Sequence, residues 1–102
     1  MLFHVTTTHT PENCPGTDPE AMKSVMEFSE NMEEVAKELN IKIHFIVGSG
    51  PEHAMYALLE ADHASSLSRF FIRIPIKQAS RITPVEPLED IIAEAKKQAE
   101  EK

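Results

Sequence analysis

The sequence predicts an α+β fold in which two helices cover one face of a four-stranded antiparallel sheet. Three observations carry this. Hydrophobic periodicity switches between two and about 3.6 residues, in the order strand, helix, strand, strand, helix, strand, helix. A Gly48-Ser49-Gly50-Pro51 turn directly follows a clear strand, which favours antiparallel return. The length, 102 residues, is that of a single domain.

Leu2 to Thr8 is rich in β-branched residues and reads as the first strand, with Phe3 and Val5 on one face and His4, Thr6 and Thr8 on the other. The prolines and glycine of Thr10-Pro11-Glu12-Asn13-Cys14-Pro15-Gly16 mark a rigid loop. A helix then starts near Asp18, capped either by Asp18 followed by Pro19 or by a Thr17/Glu20 capping box. Met22, Val25, Met26, Met32, Val35, Ala36 and Leu39 recur at helical spacing as its expected buried stripe, and Asn40 ends it.

Ile41 to Val47 is the second strand, with Ile41, Ile43, Phe45 and Val47 alternating against Lys42, His44 and Ile46. His53 to Glu60 is the return strand; its Ala, Met and Leu content also suits a helix, and the tight turn decides for the strand. Asp62 is the expected cap of a second helix over Ala64 to about Phe71, and Pro75 bars a regular helix through residues 72–76. Ser80 to Val85 makes a short fourth strand closed by Pro84 and Pro87. A terminal helix from Leu88 to about Glu100 gathers Leu88, Ile91, Ile92, Ala95 and Ala99 on one face. With right-handed crossovers these elements form a ferredoxin-like βαββαβ unit of sheet order 4-1-3-2, with an added C-terminal helix, in one domain over residues 1–102. The first two helices fall on one face, which leaves the other face of the sheet open.

Composition narrows the function classes. Seventeen Asp+Glu stand against ten Lys+Arg, a net charge of −7, which argues against a nucleic-acid partner. Arg69, Arg73, Lys77 and Arg81 recur at four-residue spacing, but Pro75 interrupts the helix that a phosphate-binding stripe would need. The single cysteine, Cys14, excludes an intramolecular disulfide. The N-terminal residues lack the basic and apolar regions of a signal peptide, and no apolar run approaches a membrane span of about 20 residues, so the expected location is the cytoplasm without a membrane partner.

The strand Leu2-Phe3-His4-Val5-Thr6, the join Ala57-Leu58-Leu59-Glu60-Ala61-Asp62 and the stretch Arg81-Ile82-Thr83-Pro84-Val85-Glu86-Pro87-Leu88 resemble the dimeric α/β-barrel superfamily of ferredoxin-like proteins. Within it the chain looks most like a family of small uncharacterised bacterial and archaeal proteins, and the likeness spans nearly its whole length as a pattern of elements. The resemblance implies a homodimer with two sheets packed open face to open face. That superfamily includes monooxygenases, muconolactone-isomerase-like enzymes and haem-binding proteins, so fold alone does not supply function. The loop from Thr8 to Gly16 is longer than the pattern expects, which makes it a candidate seat of chemistry.

Two sets of residues could carry function. In the 4-1-3-2 sheet the end of strand one, the start of helix one and the start of strand three share an edge, which places His9, Cys14 and His53 together. Two imidazoles and a thiolate suit zinc or copper, although no CxxC or HxxxH spacing accompanies them; alternatively His9 and Asn13 only shape the loop. The second set lies on the open face: His4, Thr6 and Thr8, with His44, and with either Tyr56 or Met55 and either Arg81 or Ile82 according to register. The leading expectation is a homodimer binding a small organic ligand through Thr6, Thr8, Tyr56 and Arg81, with His44, His4 and His9 as acid–base groups of a cofactor-free oxygenation or isomerisation. A zinc, copper or haem protein using His9, Cys14 and His53 stands second, and an assembly module without catalysis third.

Overall fold

Side-chain alternation along the first strand decides which face of the sheet is covered. A computed structural model of the chain describes residues 1–101. Its elements are β1 (Leu2–Thr8), α1 (Pro19–Glu38), β2 (Lys42–Ser49), β3 (Ala54–Glu60), α2 (Ala64–Ile72), β4 (Ala79–Val85) and α3 (Leu88–Glu100). The strands are antiparallel in the order β2-β3-β1-β4, which is the expected 4-1-3-2 arrangement seen from the other edge.

Phe3, Val5 and Thr7 of β1 are buried, and Ala57 and Leu59 of β3 join them on the same face. Onto that face α1 brings Ala36, with Phe28, Met32, Val35 and Leu39 around it, and α2 brings Leu67, Phe70 and Phe71. Phe70 meets Phe28 and Phe71 edge-on at centroid distances of 5.7 and 5.1 Å. Each such side chain, fully buried, is worth about 1.5–3 kcal/mol, so this one layer supplies most of the driving force for folding.

The ends of α1 follow from single residues. Asp18 Oδ1 accepts from the backbone N–H groups of Glu20 and Ala21 at 3.0 and 3.4 Å, with Pro19 in the first turn, so the first of the two capping arrangements is the one adopted. At the other end Asn40 takes φ 58°, the left-handed region that asparagine tolerates. Ile41 N–H then bonds Ala36 O at 2.8 Å and Asn40 N–H bonds Lys37 O at 3.1 Å, the paired closure of a Schellman motif.

Three expectations change. Met22 and Met26 are exposed, and Phe28 enters the buried stripe in their place. Each methionine lies one position off the Ala21, Val25, Phe28, Met32 line, about 100° around the helix. Asp62 does not cap α2; His63 occupies that position without a side-chain bond, while Asp62 Oδ2 accepts from Asn40 Nδ2 at 3.3 Å. The largest change is in β2, where Ile43 pairs with Leu59 but Phe45 with Leu58, leaving His44 as a bulge. One extra residue reverses the alternation beyond it. Ile46 therefore packs against the core, and Phe45 and Val47 turn to the open face.

The helix α3 buries no residue, and Leu88, Ile91 and Ile92 are 68, 46 and 46 % exposed. The molecule measures 60 × 30 × 18 Å with a radius of gyration of 16.7 Å, against about 13 Å for a compact domain of this size. No helix among the described residues is long and apolar enough to cross a membrane.

The bulge makes an opposed pair of outcomes. Ile46→Ala should lower unfolding free energy by about 2 kcal/mol, the low end for a half-buried isoleucine, whereas Val47→Thr should change it by under about 0.5 kcal/mol. Urea denaturation of the two variants measures the difference.

Candidate metal centre

The loop between β1 and α1 is built from two single 3₁₀ turns, Pro11–Asn13 and Pro15–Thr17. Each begins with a proline, whose fixed φ and missing N–H suit the first position of a helical turn. Cys14 sits between them: its N–H closes the first turn on Pro11 O at 3.2 Å, and its carbonyl accepts from Thr17 N and Oγ1 at 3.1 and 2.8 Å. Asn13 Nδ2 donates to Thr10 Oγ1 at 3.0 Å and ties the first turn to its entry. The thiol-bearing residue is thus held at both its N–H and its C=O. A Cβ on Gly16 would stand 3.5 Å from Cys14 Sγ, so glycine there leaves that flank of the sulfur open.

The second half of the site comes from the sheet. Thr8 pairs with Ala54, and the ladder continues one step further as His9 N–H donates to His53 O at 3.1 Å. His53 closes the β2–β3 turn through its N–H to Gly50 O at 3.2 Å and takes φ 50°. A non-glycine residue in that region costs roughly 1–2 kcal/mol, which the two backbone bonds offset.

These constraints bring His9 Nε2 to 3.4 Å from His53 Nδ1, with the rings nearly perpendicular at 83° and their centroids 5.2 Å apart. Cys14 Sγ completes the group, and the ligand atoms of all three half-buried residues lie within 4.8 Å of one another. Two nitrogens bound tetrahedrally to zinc at about 2.0–2.1 Å stand about 3.4 Å apart, and a nitrogen and a sulfur about 3.6 Å. The imidazole pair already has that separation; the sulfur needs to close by up to about an ångström, within reach of a side-chain rotation.

The open-face residues have a different fate. The register places Thr6 between Tyr56 and Arg81, and His4 between Leu58 and Thr83, so Tyr56 and Arg81 share the open face while Met55 and Ile82 pack against the core. Thr8 lies between Ala54 and Ala79 on that face. The His4 ring is 6.4 Å from that of Tyr56. Tyr56 Oη donates to Glu52 Oε2 at 2.6 Å, which raises the phenol above its ordinary value of 10.0. His44 Nε2 lies 2.9 Å from Glu60 Oε1 at the exposed bulge. His44, His4 and His9 do not form one constellation: His4 and His44 are separated by two strand spacings, about 10 Å, and His9 follows His4 by about 17 Å along the chain.

The bulge, the Glu60 partner of His44 and the left-handed His53 carry no local sequence signal. A larger cleft of about 560 Å³ lies at the opposite end of the sheet, among Ala36, Ile41, Lys42 and Glu60, and gathers no histidine or cysteine. No protein-family model matches the chain, and neither does any curated protein, so the reading of the site rests on its chemistry.

The His44 bond, with lesser contributions from the charges of His44, Lys42 and the N-terminus, holds the Glu60 carboxyl below its ordinary value of 4.5. A depressed carboxyl contributes stability above its unfolded value and loses it as pH falls through the folded one. The melting temperatures of the wild type and Glu60→Gln should therefore differ slightly near neutrality and converge in acid, with screening at this exposed site keeping the gap small. Thermal melts across a pH series check the sign.

Proposed function

We propose that the protein binds one first-row transition-metal ion, zinc or copper, through His9, Cys14 and His53. The convergence of three ligand-type atoms within 4.8 Å carries this reading, because it joins residues as far as 44 positions apart in sequence. Two neutral imidazoles and one thiolate form a borderline-soft set, which suits zinc and copper and not magnesium or calcium. Three donors converging on one point fit a single ion better than a haem, whose axial ligands come singly or from opposite faces. In a tetrahedral shell they leave one position for water or substrate, the pattern of catalytic rather than structural zinc. His₂Cys is equally the donor set of trigonal copper centres, so ligands alone do not choose between the two metals.

A stoichiometric metal ion should be found by elemental mass spectrometry of protein purified without chelator or affinity tag. Cobalt substitution should give a near-ultraviolet thiolate charge-transfer band that Cys14→Ser abolishes. His53→Ala should weaken metal binding by more than the roughly 10–100-fold that loss of an outer-shell partner costs. Metal-free protein with no cobalt band would overturn the assignment.

A second reading concerns the open face, and exposed apolar surface supports it. Phe45, Val47 and Val85 there are 41, 52 and 36 % exposed, and the apolar stripe of α3 is uncovered as well. A homodimer of dimeric α/β-barrel type would bury this surface and enclose His4, Thr6, Thr8, Tyr56 and Arg81 as a chamber for a small organic ligand, with a histidine as acid–base group. Light scattering coupled to size exclusion should then report a dimer, and Val47→Glu a folded monomer. A monomeric wild type would overturn this reading and leave the metal site untouched.

A further inference from the structure

Resting on the metal reading, we infer that the open coordination position takes a small anion, and that Lys77 supplies its counter-charge. A cavity of about 360 Å³ adjoins the cluster and has His9 in its wall, together with Thr10 and Asn13 of the loop and Lys77 and Gln78 of the segment entering β4. Pairing of Thr8 with Ala79 holds these two segments side by side, so metal ligand and lysine line the same space through the sheet ladder itself.

Charge favours an anionic occupant. A divalent ion on one thiolate and two neutral imidazoles keeps one positive charge, and Lys77 adds a second in the cavity wall. Neither of the two ion pairs among the described residues engages Lys77. Of the acidic residues in the adjoining turns, Glu52 accepts from Tyr56 Oη at 2.6 Å. A small anion in this space is placed to share the positive charge of the metal with the Lys77 ammonium.

The test is anion titration of the cobalt-substituted protein, read in the visible ligand-field bands, with azide and bicarbonate as probes. Saturable shifts are expected in the wild type. Lys77→Met should weaken them roughly three- to tenfold with the thiolate band unchanged, and Lys77→Arg should largely preserve them. Lys77 is exposed, so loss of fold does not complicate the comparison. An intact thiolate band with no anion response, or with equal affinity in Lys77→Met, would overturn the anion site and leave the metal standing. Absence of the thiolate band would overturn both, and that outcome is read before any anion is added.

Discussion

The antiparallel register between β1 and β3 is the constraint on which the molecule depends. β1 lies between β3 and β4 and bonds to both, so its alternation is imposed on its neighbours. The same ladder buries Phe3, Val5, Ala57 and Leu59, aligns Thr6 with Tyr56 and Arg81, and carries on to the His9–His53 backbone bond. A slip of one residue would expose the core set and part the two imidazoles together. Stability and the candidate site are therefore enforced by the same hydrogen bonds.

The loop that presents Cys14 uses little sequence to hold a thiol still. Two prolines reduce the freedom of the unfolded chain, and backbone bonds on either side of Cys14 fix its position without burying it. Preorganisation of this kind would favour the proposed metal site, because each ligand that must be ordered on binding subtracts from affinity. The left-handed His53 belongs to the same account: two backbone bonds hold it at φ 50° with its ring beside that of His9. The cavity lined by Lys77 and Gln78 meets this corner at His9.

The rest of the chain has a surplus of uncovered apolar surface. A 13-residue helix such as α3 is marginal alone in water, yet it keeps an amphipathic face without burying any of it. The open sheet face presents the same difficulty, since small domains bury a modest share of their surface and gain from sharing it. Both features are apolar surface that the described residues leave exposed, and the open face meets the His9 and His53 corner at Thr8 and Ala54.

Much of this protein was legible in the sequence. Periodicity and turn chemistry determined the order of elements, the strand order and the end of α1 at Asn40, and narrowed its cap to Asp18 or Thr17, because those signals are local or follow from chain handedness. Topology alone also placed His9, Cys14 and His53 at one end, since strand direction decides which loops share an edge. Tertiary structure decided the rest. The bulge at His44 turned Phe45 and Val47 outward and Ile46 inward, and the alternation of the sequence could not disclose an inserted residue. Phe28 displaced Met22 and Met26 from the core because the position of Phe70 set the angle of α1's buried face. Register chose Tyr56 over Met55 and Arg81 over Ile82, and the 3.4 Å approach of the two imidazoles arose from a backbone bond between strands. Such facts depend on contacts between distant segments, whose energies no window of sequence contains.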